Sequence, residues 1–136
     1  MKVFIDTSAF IALFVDKEIS HEKIARKYYD YRQQRAIFFT SYYILDELFT
    51  RLSYYKGVDI KKYIQKLKNS IKANELTVLQ IDEVLFDKSI IMFTKFAEHK
   101  ISFTDATTYT LFKDYKFDEI FTLDSDFKKI GVATSF

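Results

Sequence analysis

Four short apolar runs, separated by long stretches of helical periodicity, constrain this chain more than any other feature of it. Val3-Phe4-Ile5, Ala36-Ile37-Phe38-Phe39-Thr40, Leu76 to Ile81 and Ile120-Phe121-Thr122 have the continuous apolar character of strands buried on both faces. Between them, start and stop signals mark helices. Ser8 to Phe14 reads as a short one, Ser20 as the N-cap of one reaching about Arg35, and Ser41 as the start of one through about Tyr55, which Gly57 breaks. Asp59 caps a helix to about Lys72, and Asp82 caps a long one ending near Lys100, with His99 suited to its C-terminal turn. Ser102-Phe103-Thr104-Asp105 has the form of a capping box that starts a helix to about Tyr115. Val132-Ala133-Thr134 is the candidate for a fifth strand. Strand alternating with helix predicts an α/β sandwich around a central, mostly parallel sheet of four to five strands.

The 136 residues suit one domain, 1–136, and show no linker, repeat or low-complexity segment. With 15 Phe and 10 Tyr but only 2 Gly and no Pro, the chain is too rich in core-forming residues to be disordered. The absence of Cys removes disulfides, zinc–thiolate sites and a Cys nucleophile, and two histidines, His21 and His99, are too few for a multi-histidine metal site. No apolar run approaches the roughly 20 residues of a membrane span. Asp6 interrupts the apolar start, so secretion is not expected, and the expectation is a cytoplasmic protein with no membrane partner.

The formal net charge of +2 conceals an asymmetry. Residues 1–81 hold 14 Lys+Arg against 9 Asp+Glu, whereas residues 82–127 hold 5 against 10. The first half therefore offers cations to an anionic partner, and the second supplies carboxylates.

In parallel α/β sheets, sites form beyond the carboxyl ends of the strands. Asp6 follows Val3-Phe4-Ile5, and Asp124 follows Ile120-Phe121-Thr122-Leu123, with Asp126 two residues on. Each of the two has a simpler reading as a helix cap. Asp105 lies on an apolar stripe, about 40° from Tyr109 and about 20° from Phe112 at the helical repeat. A carboxylate there needs a partner, whether the backbone of Ser102 or something bound. On helix 41–55, Asp46 and Glu47 flank the apolar face of Ile44, Leu48, Leu52 and Tyr55 from opposite sides, and periodicity does not choose between them. Carboxylates converging on one sheet edge repel one another, and a hard divalent cation relieves the repulsion; oxygen-only ligands point to Mg²⁺ or Mn²⁺. Such a site suits metal-assisted phosphoryl chemistry. No Gly-rich phosphate loop, GxSxG elbow or HExxH motif competes. A haloacid-dehalogenase-like phosphatase would want an Asp two residues after Asp6, where this chain has Ser8.

At these positions the sequence resembles the PIN-domain nucleases. Phe4-Ile5-Asp6-Thr7-Ser8 is similar to the family's first acidic motif, and Ser41 to Leu48 to the helix carrying its conserved Glu, which matches Glu47. Ser102-Phe103-Thr104-Asp105-Ala106 resembles the third motif, and Thr122-Leu123-Asp124-Ser125-Asp126-Phe127 the fourth. The four stand in register along the whole chain, with no departure at the acidic positions. The resemblance implies a three-layer α/β/α sandwich and an Mg²⁺- or Mn²⁺-dependent endoribonuclease leaving 5′-phosphate ends. Asp6, Glu47, Asp105 and Asp124 would hold one or two metals, with Asp126 in support. Thr7, Ser8 and Thr122 would orient a water or phosphate, or cap helices. Arg51 would contact phosphate, or pair with Glu47 one turn away. Small single-domain members are most often toxins of VapBC-type pairs, so the resemblance also implies a cognate antitoxin and a homodimer. A housekeeping nuclease in RNA maturation or decay would share the chemistry. A non-catalytic RNA- or protein-binding module is the third reading, which the intact acidic set opposes.

An RNA substrate needs a docking surface, and two helices offer candidates. Helix 20–35 carries Lys23, Arg26, Lys27, Arg32 and Arg35 interleaved with Tyr28, Tyr29 and Tyr31; helix 59–72 carries Lys61, Lys62, Lys66, Lys68 and Lys72. Basic groups near aromatic faces suit phosphate contact and base stacking. The plainer reading is that the lysines are a solvated face and the tyrosines are core.

Overall fold

The computed structural model describes all residues, Met1 to Phe136. Its strands are β1 (Lys2–Ile5), β2 (Ile37–Ser41), β3 (Leu76–Leu79) and β4 (Glu119–Phe121). Its helices are α1 (Thr7–Phe14), α2 (His21–Gln33), α3 (Tyr42–Leu52), α4 (Ile60–Lys72), α5 (Glu83–Lys95), α6 (Phe103–Tyr115) and α7 (Asp126–Lys129). The strands form one parallel sheet in the order β3-β2-β1-β4. The α/β expectation holds, with four strands. Val132-Ala133-Thr134 is not a fifth, because only Thr134 bridges to Ile120 and no ladder follows.

The strand order explains the layering. Two crossovers step from β1 through β2 to β3, and the next returns past both to place β4 on the far side of β1. Since such crossovers are right-handed, the reversal puts α5 and α6 on the face opposite α1–α4. The strands alternate accordingly. Phe38 and Phe121 meet Tyr31 of α2 edge-on, at centroid distances of 6.1 and 5.2 Å. Phe4 and Phe39 turn to the other side and pack on Phe117, at 5.6 and 4.9 Å. Tyr31, Phe4 and Phe121 are each buried to within about 1% of complete exclusion from solvent. Burying side chains of this size is worth roughly 1.5–3 kcal/mol apiece.

Local capping chemistry sets most helix starts. Ser41, Asp59 and Asp82 accept from the amides of Ile44, Lys62 and Leu85, and Ser102 with Asp105 forms the complete capping box. Ser20 differs: it occupies the N-cap position of α2, but its backbone (ψ 1°) has already turned and its side chain caps nothing. The ends of α3 and α5 also fall earlier than periodicity predicts, at Leu52 and Lys95, and a short 3₁₀ turn over Ala97–His99 completes the latter. No helix is long and apolar enough to cross a membrane.

Candidate active site

The reversal of strand order makes the cleft between β1 and β4 the switch point of the sheet, where α/β folds place their ligands. Asp6 and Asp124 lie just beyond the carboxyl ends of these two strands. Asp6 still belongs to the sheet through its amide, which donates to the Phe121 carbonyl at 3.0 Å. It also stands at the N-cap position of α1, yet its side chain makes no capping bond. The cap reading of Asp6 therefore fails.

Its carboxylate is engaged from the other strand. The Thr122 hydroxyl donates to Asp6 Oδ2 at 2.8 Å, and Ser8 Oγ lies 3.3 Å from the same oxygen. Thr122 Oγ1 in turn accepts from the Asp124 amide at 2.9 Å, and Ser8 Oγ accepts from the Leu123 amide at 3.0 Å. The two hydroxyls lie 3.1 Å apart. Asp124 Oδ1 accepts from the Asp126 amide at 2.8 Å, which turns the chain into α7. Thr122 and Ser8 thus form a brace joining residues more than a hundred positions apart, a role their local sequence does not signal. Thr7 Oγ1 is buried beside Asp6 with no hydrogen-bond partner.

Two further elements bring acids to the same place. Asp105 serves both readings at once: it closes the capping box through the Ser102 amide at 3.2 Å, and it feels the charges of Asp6 and Asp124. On α3, Asp46 is exposed, while Glu47 is half-buried and its charge acts on Asp6. Arg51 lies 3.6 Å from Glu47 one turn on, with both side chains partly solvated. Asp126, next to Asp124, is already paired: its Oδ1 lies 2.7 Å from Lys129 Nζ, which holds its carboxyl below the usual range.

The electrostatics follow from burial and crowding. Burial first, then the charges of Glu47 and Asp124, push the Asp6 carboxyl up to about 6 despite the bond from Thr122. Burial first, then Asp6 and Asp124, push Asp105 up to about 7. No three acidic or histidine side chains close into a tight ligand group; the acids are neighbours through their fields. The donor set nevertheless fits a hard divalent cation. It is all oxygen, it carries charge that the fold leaves uncompensated, and it adjoins an unpartnered buried hydroxyl.

The sign of the resulting pH dependence is fixed. Both carboxyls bind protons more tightly folded than unfolded, so their protonation stabilises the fold, fully below about pH 4, and this is lost as pH rises through the folded values near 6 and 7. In EDTA the thermal midpoint is expected to fall from pH 5 to 7 and level off above. Circular dichroism melts across that range check this, and a midpoint that climbs from pH 5 to 7 would contradict it.

The basic helices are partly reassigned by the structure. Tyr28 packs on Phe38 at 5.2 Å and Tyr31 is core, so only Tyr29 of the three tyrosines is exposed. Arg26 and Arg32 are paired with Glu22 and Glu75. On α4 the five lysines all face solvent.

Comparison with known proteins agrees with this architecture. The PIN domain family model matches residues 3–133. No curated protein matches in sequence. Among solved structures, the fold is similar to that of the Mycobacterium tuberculosis VapC20, a Sarcin-Ricin loop cleaving toxin, with TM-score 0.82, 20% identity and 96% of each chain covered. It is also similar to VapBC2 from Rickettsia felis, solved bound to a DNA fragment from its promoter, with TM-score 0.71, 15% identity and coverage of 99% of this chain and 98% of that one. With the family pattern running through nearly its whole length and through each of the strand ends that carry its acids, the chain belongs to the PIN domain family.

Proposed function

We propose that this chain, acting as one domain over 1–136, is a divalent-metal-dependent endoribonuclease and the toxin of a VapBC-type toxin–antitoxin pair. The observation that carries the reading is the gathering of Asp6, Glu47, Asp105 and Asp124 at the switch point of the sheet, where burial first and the charges of neighbouring acids second push the carboxyls of Asp6 and Asp105 up to about 6 and about 7. These four would hold Mg²⁺ or Mn²⁺. The ion, when bound, supplies an activated water and steadies charge on the phosphate in transit.

The chain's own groups do the rest. Thr122 and Ser8 both bond Asp6 Oδ2 and fix the rotation of its carboxylate, so Oδ1 would be free for a cation without side-chain motion. Ser102 does the same for Asp105. Arg51 restrains Glu47 and stands ready for a phosphate, Thr7 offers an uncommitted hydroxyl, and Asp126 steadies the loop beside Asp124 through its amide. Likeness to a toxin that cleaves the Sarcin-Ricin loop, and to a toxin–antitoxin complex, supports RNA as substrate and an antitoxin as partner. The exposed Val84 and Ile91 on α5, at 63% and 62%, suit a homodimer. The site of action would be the cytoplasm, where such RNA lies.

Incubating the purified protein with structured RNA tests the reading. Cleavage is expected with Mn²⁺ or Mg²⁺ and none in EDTA. Cleavage that persists in EDTA overturns it. Expressed alone, the chain is expected to arrest growth; a housekeeping nuclease would not.

A further inference from the structure

Two depressions beside the acidic site share a wall. The larger, of about 440 Å³, runs along α2 and is lined by Lys23, Arg26 and Lys27, by the acids Glu22 and Asp30, and by Phe136. The smaller, of about 70 Å³, is lined by Leu123, Asp124 and Lys128 and again by Lys23 and Phe136. A groove therefore leads from α2 onto the β4–α7 loop and ends on one of the four acids. Lys23 Nζ stands 4.1 Å from the centre of the Phe136 ring, and Phe136 and Leu123 each remain 37% exposed.

The cations of this groove differ from their neighbours. Arg26 is held by Glu22 at 3.1 Å and Lys129 by Asp126 at 2.7 Å. Lys23 and Lys128 take part in no ion pair. Two ammonium groups free of ion pairs, one of them over the face of an exposed ring and both lining the same depression, match a ligand that is anionic along its backbone and flat at intervals. A run of acidic side chains alone would answer the lysines but leave the apolar ring and Leu123 unmatched.

We propose that this groove docks one nucleotide of a single-stranded RNA segment next to the scissile bond, with its base against Phe136 and Leu123 and its phosphate between Lys23 and Lys128. The proposal rests on the ribonuclease reading above and deepens it. Because Asp124 forms the end of the groove, a nucleotide held there presents the adjoining phosphodiester to the acids. The lysines and the ring bind and position; they take no part in the bond-breaking step.

Fluorescence anisotropy with a labelled single-stranded RNA hexamer tests this, in an Asp6→Asn background to prevent turnover. Lys23→Gln and Lys128→Gln are each expected to weaken binding about threefold and to lower the slope of log K against log salt by about 0.7, the share of one phosphate contact. Phe136→Leu is expected to weaken binding about tenfold, and to cost nothing further on a hexamer made abasic at one particular position. With the acids intact, the same lysine changes should raise KM and leave kcat nearly unchanged. Both lysines are solvent-exposed, so their variants fold even if the Phe136 variant does not. Unchanged affinity and salt slope in both lysine variants, with wild-type cleavage intact, overturns the subsite and leaves the ribonuclease reading standing. Neither binding nor cleavage by the wild type overturns both. Polyglutamate binding that is lost in the lysine variants while RNA binding is not would assign the groove to an acidic protein partner, and this also overturns the proposal.

Discussion

Asp6→Asn is expected to lower RNA cleavage by about three orders of magnitude while raising the thermal midpoint of the metal-free protein at pH 7. The two effects share a cause. Asp6 is buried, and its charge is opposed by those of Glu47 and Asp124, so the folded chain holds it as a carboxylate at a cost. Asparagine keeps the shape, still accepts from Thr122, and removes that charge. The gain is on the order of 1 kcal/mol, since part of the relief is offset by an amide NH₂ that needs its own acceptor. For a domain of this length that is roughly 3–5 °C. The activity falls because charge stabilisation of a phosphate in transit by a bound cation is worth several kcal/mol, and about 1.4 kcal/mol is tenfold in rate. Gel assays of RNA cleavage and melts in EDTA measure both. Full activity in the variant refutes the assignment of Asp6, and a lower midpoint with lost activity would reduce Asp6 to a structural residue.

Phe121→Ala is expected to cost about 3–5 kcal/mol, a large share of the roughly 5–15 kcal/mol that holds a domain together. Phe121 is fully buried, packs edge-on against Tyr31 at 5.2 Å, and pairs in register with Ile5. Its carbonyl also receives the Asp6 amide at 3.0 Å. Removing the ring opens a cavity at the junction where β1 and β4 carry Asp6 and Asp124 side by side. Denaturant titration measures the loss. Tyr31→Phe is the matching mild change, since it removes only the bond of the hydroxyl to Ser135 Oγ at 2.6 Å. A Phe121→Ala protein within 1 kcal/mol of wild type would show that this part of the core collapses to fill the space.

Strands and helix starts were legible because both are written locally. A continuous apolar run can only be buried on two faces, and Ser41, Asp59, Asp82 and Ser102 each satisfy an amide three residues away. Helix ends were unevenly legible: α4 and α6 stop at Lys72 and Tyr115 where the pattern puts them, whereas α3 and α5 stop early, at Leu52 and Lys95. Gly131 follows α7 in the left-handed region, but with Gly at only two positions the other left-handed residues after helices are Arg35, Asn74, Lys100 and Lys116, with φ between 53° and 58°. Three of these are long cationic side chains that no stop signal marks. The path of the chain imposes the conformation on them, at about 1 kcal/mol each.

The acids were visible as residues at strand ends, and their order along the chain was enough to suggest a family. Other assignments waited on contacts. Asp46 and Glu47 are equivalent to a helical wheel, and only packing of α3 leaves the first in solvent and turns the second toward Asp6. Tyr28 and Tyr31 looked as available to RNA as Tyr29, until the sheet face beneath α2 claimed them. Thr122 and Ser8 read equally as groups that orient a water or phosphate and as caps, and in the fold both bind Asp6, Thr122 from across the sheet.

The amino-acid sequence by itself determined what each segment is: which runs are strands, where helices begin, and which carboxylates follow strand ends, because periodicity and capping act over three or four residues. Only the tertiary structure decided which of those carboxylates share a field, and which lysines remain unpaired beside them. That depends on β4 returning to the far side of β1, which sets Thr122 against Asp6 across 116 residues of chain. No local rule encodes the distance between two strand ends; the order of strands in the sheet does.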